Sequence, residues 1–489
     1  MTQDKGEIRP ERLAKNLPNA AFGLTIESRV RLLPDELIVR TPRRIPLSIL
    51  DATVLRFAPT CAIWIYDQPA NSQGQAALAT QQLSLSLQKT LNAYPQWAGD
   101  LQWEPCNKHA PHTQRYGRLN ITYGTASDSG IELVIASSPQ PLSSLVPSTS
   151  ERVNIGTWNA ANFPTTELHS FTTPLALHGE GRALPCVMVQ LTTFGCGGVG
   201  IAVKCAHAVA DAQAMINFVK DWAAVNRALL CGAPLPSLSP VFEPQLLDGA
   251  AAGNIDAVEP DPAFIRISRS LPMHKYDLWA SAQGCPSFMV SETRIPPEVD
   301  ISSIGQLGKP LPWSEWDVAA PIAHYLLYFS ADEVQRIREE VSSSSSTTRV
   351  SRLDALLSHV WALIIRARGL ERDTQAAHLA VTIGLRNRLS PPLAQTFVGS
   401  PIVLARVTLT CEEITQSPGA AAVAIRSAVV QFDSSTLPAL LHDVAFEVSA
   451  QRFWRAFMGR RNTIVTSWFR QDVMLLILVE GRLRGTSML

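Results

Sequence analysis

The sequence predicts an α/β fold built as two halves of similar architecture. Three observations carry this. Strand-like segments at 61–66, 322–329 and 402–409 alternate with helix-period segments in both halves. Near the middle, a hairpin pattern hands over to an amphipathic helix. The chain is 489 residues long with 46% apolar and 17% charged residues, enough for two or three globular cores.

Taken in order, 61–66 is a run of β-formers bounded by Pro59 and Pro69. Residues 80–94 place Leu83, Leu87 and Leu91 on one helical face, and Pro95 stops the helix. Val187, Val189 and Leu191 alternate with Met188, Gln190 and Thr192; Val199, Ile201, Val203 and Cys205 resume the alternation after Cys196-Gly197-Gly198. That is a hairpin by pattern. Beyond Asp211 the period changes to i, i+3, i+4, i+7, i+8 with Met215, Phe218, Val219, Trp222 and Ala223, and Asp211 stands at the N-cap position.

Residues 231–262 hold six prolines and little periodicity, and read as a crossover between the halves. Residues 342–348 are a low-complexity loop. Ser351-Arg-Leu-Asp354 resembles a capping box opening a helix with Leu353, Leu356, Leu357, Val360, Ile364 and Ala367 on one face. The expected boundaries are 1–230 for the first domain, 231–265 for the crossover and 266–489 for the second domain.

Forty-two basic and 42 acidic residues balance, so no basic stripe points to nucleic acid or an anionic membrane. The first twenty residues lack an apolar signal core, and the longest apolar run near either end, 473–479, is too short to span a bilayer. Eight scattered cysteines form no C-x-x-C and no metal-ligand cluster, which suits reduced thiols in the cytosol and no bound metal. Gly195-x-Gly197-x-x-Gly200 matches a dinucleotide-binding string, but a strand rather than a helix follows it, so the glycines belong to a turn. No G-x-S-x-G offers a hydrolase serine. Cys205 and His359 are better read as packing residues than as catalytic ones.

The candidate site is His207-Ala-Val-Ala-Asp211, at the strand-to-helix connection. A neutral imidazole there can take a proton from a hydroxyl or amine attacking a carbonyl. Asp211 shapes the connection.

Several segments together resemble the BAHD-type acyl-CoA-dependent acyltransferases, in the form common in fungal secondary metabolism. They are Leu47-Ser-Ile-Leu-Asp51 with Ile63-Trp-Ile-Tyr66 as an opening strand region, Leu91-Asn-Ala-Tyr-Pro-Gln-Trp-Ala-Gly99, Phe194-x-Cys-Gly-Gly198 with His207-x-x-x-Asp211, Ser351-x-x-Asp354 with His359-x-Trp361 and Arg366-Ala-Arg368, and Gly384-Leu-Arg-Asn-Arg-Leu-Ser-Pro-Pro-Leu393 followed by Gly399.

The resemblance implies two chloramphenicol-acetyltransferase-like α/β domains with an active-site channel between them, and His207 as general base. Asp211 is then a positioning residue paired with an arginine of the R-x-R motif, Arg386 or Arg388. The co-substrate is an acyl-CoA, acetyl-CoA by default. The acceptor is a small molecule, a hydroxyl of a terpenoid or alkaloid; N-acylation is the alternative. A cytosolic monomer without bound metal is expected, and the CoA-binding and oxyanion-binding residues stay unassigned.

Ala206, where condensation domains carry a second histidine, separates the chain from those relatives. The family's closing Asp-Phe-Gly-x-Gly is absent. A frame shifted at the Val473 codon can, with permitted wobble, encode Asp-Phe-Gly-Gly-Gly there. The tail after about 473 is therefore expected to be a frameshift or splicing artefact. If genuine, its Met-Leu-Leu-Ile-Leu-Val run is an aggregation hazard, and the protein is expected to be an impaired small-molecule- or CoA-binding remnant.

Overall fold

The computed structural model describes residues 22–36, 41–55, 58–107, 110–172, 184–280, 283–304, 306–343, 349–469, 471 and 483–488. Most of the expected loop at 342–348 and the apolar run at 474–479 lie outside them.

The first half is organised by a six-stranded sheet. Its strands are β1 (Thr25–Leu32), β2 (Thr60–Tyr66), β3 (Ile131–Ser138), β4 (Val187–Phe194), β5 (Val199–Cys205) and, from the far end of the chain, a strand at Leu483–Met488. The spatial order is β1-β3-β4-β5-β2 and then Leu483–Met488, which pairs antiparallel with β2. β3 and β4 run parallel; β4 and β5 form the expected antiparallel hairpin, with Val189 opposite Val203. Gly197 turns the hairpin at φ +78°, a conformation that disfavours residues with a Cβ.

Three helices matter here: α1 (Ile49–Thr53), α2 (Thr80–Thr90) and α3 (Ala212–Leu230). Leu47–Asp51, expected near a strand, leads into α1 instead, because Ser48 and Asp51 form a reciprocal capping box. α2 ends at Thr90, and its expected last turn tightens into a 3-10 turn, Leu91–Ala93, before Pro95. Leu83 and Leu87 of α2 and Met215, Phe218, Val219 and Trp222 of α3 share one core with Trp64, Tyr94 and Trp97. Trp222 Nε1 donates to Ser86 Oγ at 2.9 Å, so the largest buried ring between the helices is satisfied.

The second half contains a sheet of β6 (Ala376–Gly384), β7 (Ile402–Thr410) and β8 (Asn462–Val465), with β6 central, antiparallel to β7 and parallel to β8. Helices α4 (Arg352–Ala367) and α5 (Pro418–Val430) cover one face. The helix α4 was expected, but its buried stripe is not the leucine face. Asp354, Ala355, Ser358, Trp361, Ala362 and Ile365 are buried, and Leu353, Leu356, Leu357, Val360 and Ile364 are only half-buried. Small side chains allow close approach to α5, whose Ala422 clusters with Ala355 and whose Arg426 pairs with Asp354. The expected strand at 322–329 shrinks to Tyr325–Leu327, which pairs with Thr157–Asn159 of the first half.

The crossover contains only the short helix Gln245–Asp248 before a helix begins at Pro262, and it docks on the second half through Val241 N donating to Thr396 O at 3.0 Å. Among the described residues no helix is long and apolar enough to cross a membrane, and no group of three or more metal-ligating side chains forms.

Candidate active site

β5 ends at Cys205, and the chain turns through Ala206–Val209 before α3 starts. Ala206, Ala208, Val209 and Ala210 are buried, whereas the imidazole of His207 retains some exposure. Asp211 caps α3 as its sequence position suggests: Oδ1 accepts from Ala214 N at 2.9 Å.

Asp211 faces the second half of the chain. Arg386 Nη1 donates to Oδ2 at 2.6 Å and Nη2 to Oδ1 at 2.9 Å, a bidentate pair with both side chains buried. Nη2 also donates to Phe397 O at 2.8 Å. Arg388, equally admissible from sequence, does not touch Asp211. It donates to Val429 O and Phe432 O at the end of α5. The two arginines are two residues apart, just past β6, where the backbone turns, and their side chains diverge.

The segment that carries Phe397 also reaches His207. Ser400 is fully buried; its Oγ donates to His207 O, and His207 Nδ1 lies 3.2 Å from the same Oγ. A hydroxyl has one proton. With that proton directed to the carbonyl, Ser400 Oγ serves as acceptor for Nδ1–H. The tautomer is thereby set, with Nε2 carrying the basic lone pair. Burial lowers the His207 pKa below the usual histidine range, against the raising effects of its own carbonyl and the Asp211 charge. The imidazole is therefore neutral and available as a base near pH 7.

Ser400 is itself held. Its N–H donates to Asp51 Oδ1 at 2.6 Å, while Ser48 N and Oγ donate to Asp51 Oδ2 at 3.0 and 2.6 Å. Burial pushes the Asp51 carboxyl up to about 7, although these hydrogen bonds pull the other way. Gly399 adopts φ +144°, and a Cβ there would meet Asp51 Oδ1 at 3.1 Å, so the approach of the two halves requires glycine at this point. Behind Asp51, Ile49 N donates to Asp248 Oδ1 at 2.9 Å, and Asp248 Oδ2 lies 3.0 Å from His112 Nε2.

The structure thus brings together His207, Asp211 and Arg386, excludes Arg388, and adds Ser400, Ser48 and Asp51. The Ser48-x-x-Asp51 spacing was a visible capping signal, but nothing in sequence linked it to residue 400. Cys205 is wholly buried and its thiol pKa is pushed well above normal, which removes it as a nucleophile. His359, on α4, sits edge-on to Phe329, a packing contact.

A family model described as Transferase family matches residues 22–271 and 314–474. Among curated proteins, the acyltransferase AFT15-1 of Alternaria alternata is 26% identical over 475 residues, 92% of this chain and 84% of the relative. Anthranilate N-benzoyltransferase protein 1 of Dianthus caryophyllus is 27% identical over 257 residues, 52% of this chain and 47% of the relative. Among solved structures, F. graminearum TRI101 complexed with coenzyme A and T-2 mycotoxin aligns with a TM-score of 0.58 at 13% identity, covering 91% of this chain and 89% of the other.

Proposed function

Because the chain belongs to the Transferase family, the BAHD-type acyltransferases, we propose that this acyltransferase moves an acyl group, acetyl by preference, from acyl-CoA to a hydroxyl of a small terpenoid or alkaloid. The observation that carries the reading is the His207–Ser400 pairing, which leaves the imidazole neutral with Nε2 as its basic atom. Coenzyme A and T-2 mycotoxin in the TRI101 complex support the substrate classes.

In this mechanism Nε2 removes the acceptor hydroxyl proton as the oxygen attacks the thioester carbonyl. The tetrahedral oxyanion collapses, the C–S bond breaks, and the imidazolium returns its proton to the departing thiolate. A thioester is already activated, so no metal enters the scheme. Asp211, neutralised by Arg386, positions the turn that carries His207 and moves no proton. The two halves, 1–230 and 266–489, would enclose the channel, with 231–265 crossing between them. Balanced charge and free cysteines support a cytosolic monomer.

N-acylation is the second reading, favoured by the Dianthus relative. A CoA-binding remnant without turnover is the third, favoured by the atypical tail after about 473. CoA release from acetyl-CoA, measured with hydroxylated and amine acceptors, separates them. The comparison needs this chain, His207→Ala, and a version with the frame-restored Asp-Phe-Gly tail. Transfer to alcohols that vanishes in His207→Ala is expected. Transfer to amines alone selects the second reading, and activity only with the restored tail selects the third for this chain.

A further inference from the structure

On the sheet face opposite α4 and α5, four basic side chains from four separate segments converge. His274 is 3% exposed, and its Nε2 is buried without a hydrogen-bond partner among the described residues. Its ring stacks on Tyr276 at 4.9 Å and meets the edge of His378 on β6, also at 4.9 Å. His378 Nδ1 lies 2.9 Å from Thr408 Oγ1 on β7. Arg406 stands opposite Ala380 in the β6–β7 register, two residues along from the His378–Thr408 pair and so on the same face. Its N–H donates to Pro272 O at 2.6 Å, which lays the 272–276 segment onto the sheet. Lys309 closes the group from a short strand paired with Tyr276; its Nζ is 5.5 Å from the Tyr276 ring centre.

Neither the Lys309 ammonium nor the Arg406 guanidinium is in an ion pair with another described residue. The adjacent carboxylate, Asp277, is already held by Arg452 and by Gly308 N–H. Among the described residues, the other acid near the group is Glu315, and it acts on the Tyr276 phenol, whose pKa burial and that charge raise. Burial first, then His378, Arg406 and Lys309, press the His274 pKa down to about 3. Burial, Arg406 and Lys309 lower His378 as well.

A buried imidazole with an orphaned nitrogen, facing two cations, is costly unless something negative enters. We propose that His274, His378, Lys309 and Arg406 form a binding site for a phosphate-class dianion. Arg406 offers a planar fork for two oxygens, Lys309 a point charge, and His274 Nε2 becomes a donor once protonated. The site is distinct from the catalytic turn. His378 and Gly384 are six residues apart on β6, roughly 20 Å of extended strand, before Arg386 is reached. Two sources share this chemistry: free inorganic phosphate, and a phosphate of the acyl-CoA co-substrate, the latter resting on the function proposed above.

Calorimetric titration with inorganic phosphate in a phosphate-free buffer tests the site without requiring turnover. Saturable one-site binding is expected, weaker at pH 8 than at pH 6, with net proton uptake at pH 8, where the free ligand is already the dianion and His274 must take its proton from solvent. Arg406→Gln and the exposed Lys309→Gln should each weaken it about tenfold. Adenosine 3′,5′-bisphosphate then identifies the source. If it binds tighter than phosphate, and Lys309→Gln raises the acyl-CoA KM about tenfold at unchanged kcat, the site belongs to the co-substrate. If it binds no tighter and KM holds, the ligand is free phosphate. No saturable heat with phosphate, or equal binding by both variants, overturns the proposal.

Discussion

Two buried carboxylates flank the turn that carries His207, and they are stabilised in different ways. On one side, Asp211 meets Arg386 in a bidentate pair that joins the two halves of the chain. On the other side, Asp51 receives, among the described residues, only N–H and O–H donors, from Ser48 and Ser400, and its carboxyl is pushed up to about 7. Hydrogen bonds offset part of the desolvation of a buried charge; an adjacent guanidinium offsets far more. The two sides differ in kind: the Asp211 side is a charge-assisted clamp between the halves, and the Asp51 side, held by neutral donors, responds to pH near neutrality.

The largest effect tests the group between them. His207→Ala should reduce acyl transfer roughly 100- to 10,000-fold, the usual contribution of a general base, with folding preserved by circular dichroism. In the intact protein, the lowered His207 pKa places the acid limb of kcat/KM below the ordinary histidine value of 6.5. A limb at or above 6.5 would contradict the buried, neutral imidazole.

Next comes the ion pair. Arg386→Leu leaves Asp211 buried without a cation and should cost about 3–5 kcal/mol in urea unfolding. Asp211→Asn in that background should recover part of the loss. Arg388→Leu, by contrast, should leave the Asp211 environment intact and produce no such rescue. Asp211→Asn that keeps both stability and most activity would break the comparison at this point.

The Asp51 side gives a pH effect of opposite character. The native carboxyl holds its proton up to about 7 and the unfolded chain releases it near 3.8. Between those values the native state binds more protons, so its contribution to stability is complete below 3.8 and lost as pH rises to about 7, by roughly 4 kcal/mol. His207 runs the other way. Its folded pKa is lowered, so its contribution is present above 6.5 and lost as pH falls toward the folded value. Asp51→Asn should remove the first slope and leave the second, as read from urea midpoints between pH 4 and 8. A slope unchanged in that variant would assign it to another group.

The smallest effect falls on Ser400. Ser400→Ala removes the acceptor for Nδ1–H and leaves His207 O without its hydroxyl donor, a loss of about 1–2 kcal/mol. The expected result is about a tenfold fall in kcat with little change in KM. Ser400→Thr should restore most of it, since a hydroxyl remains; rescue by threonine separates tautomer control from loss of packing.

Much of this was legible along the chain. The hairpin, the helix after Asp211, the cap and the histidine itself all follow from local period and local hydrogen bonding, which involve residues within about four positions of one another. The α4 helix was legible too, but its buried face was not. Leucines marked an apolar stripe, and the partner helix selected the neighbouring stripe of Ala355, Ser358 and Ala362, because small side chains allow the backbones to approach.

The sequence by itself determined the α/β class, the family and the position of His207, the proposed base, since each is written in spacing and residue type. Only the tertiary structure decided that Arg386 rather than Arg388 meets Asp211, that Ser400 orients His207, and that Asp51 lies behind Ser400. These contacts join positions 175, 193 and 349 residues apart. Local periodicity carries no information about such pairs. They are fixed by the packing of one half against the other, where a buried polar group must find its partner in whatever chain lies opposite.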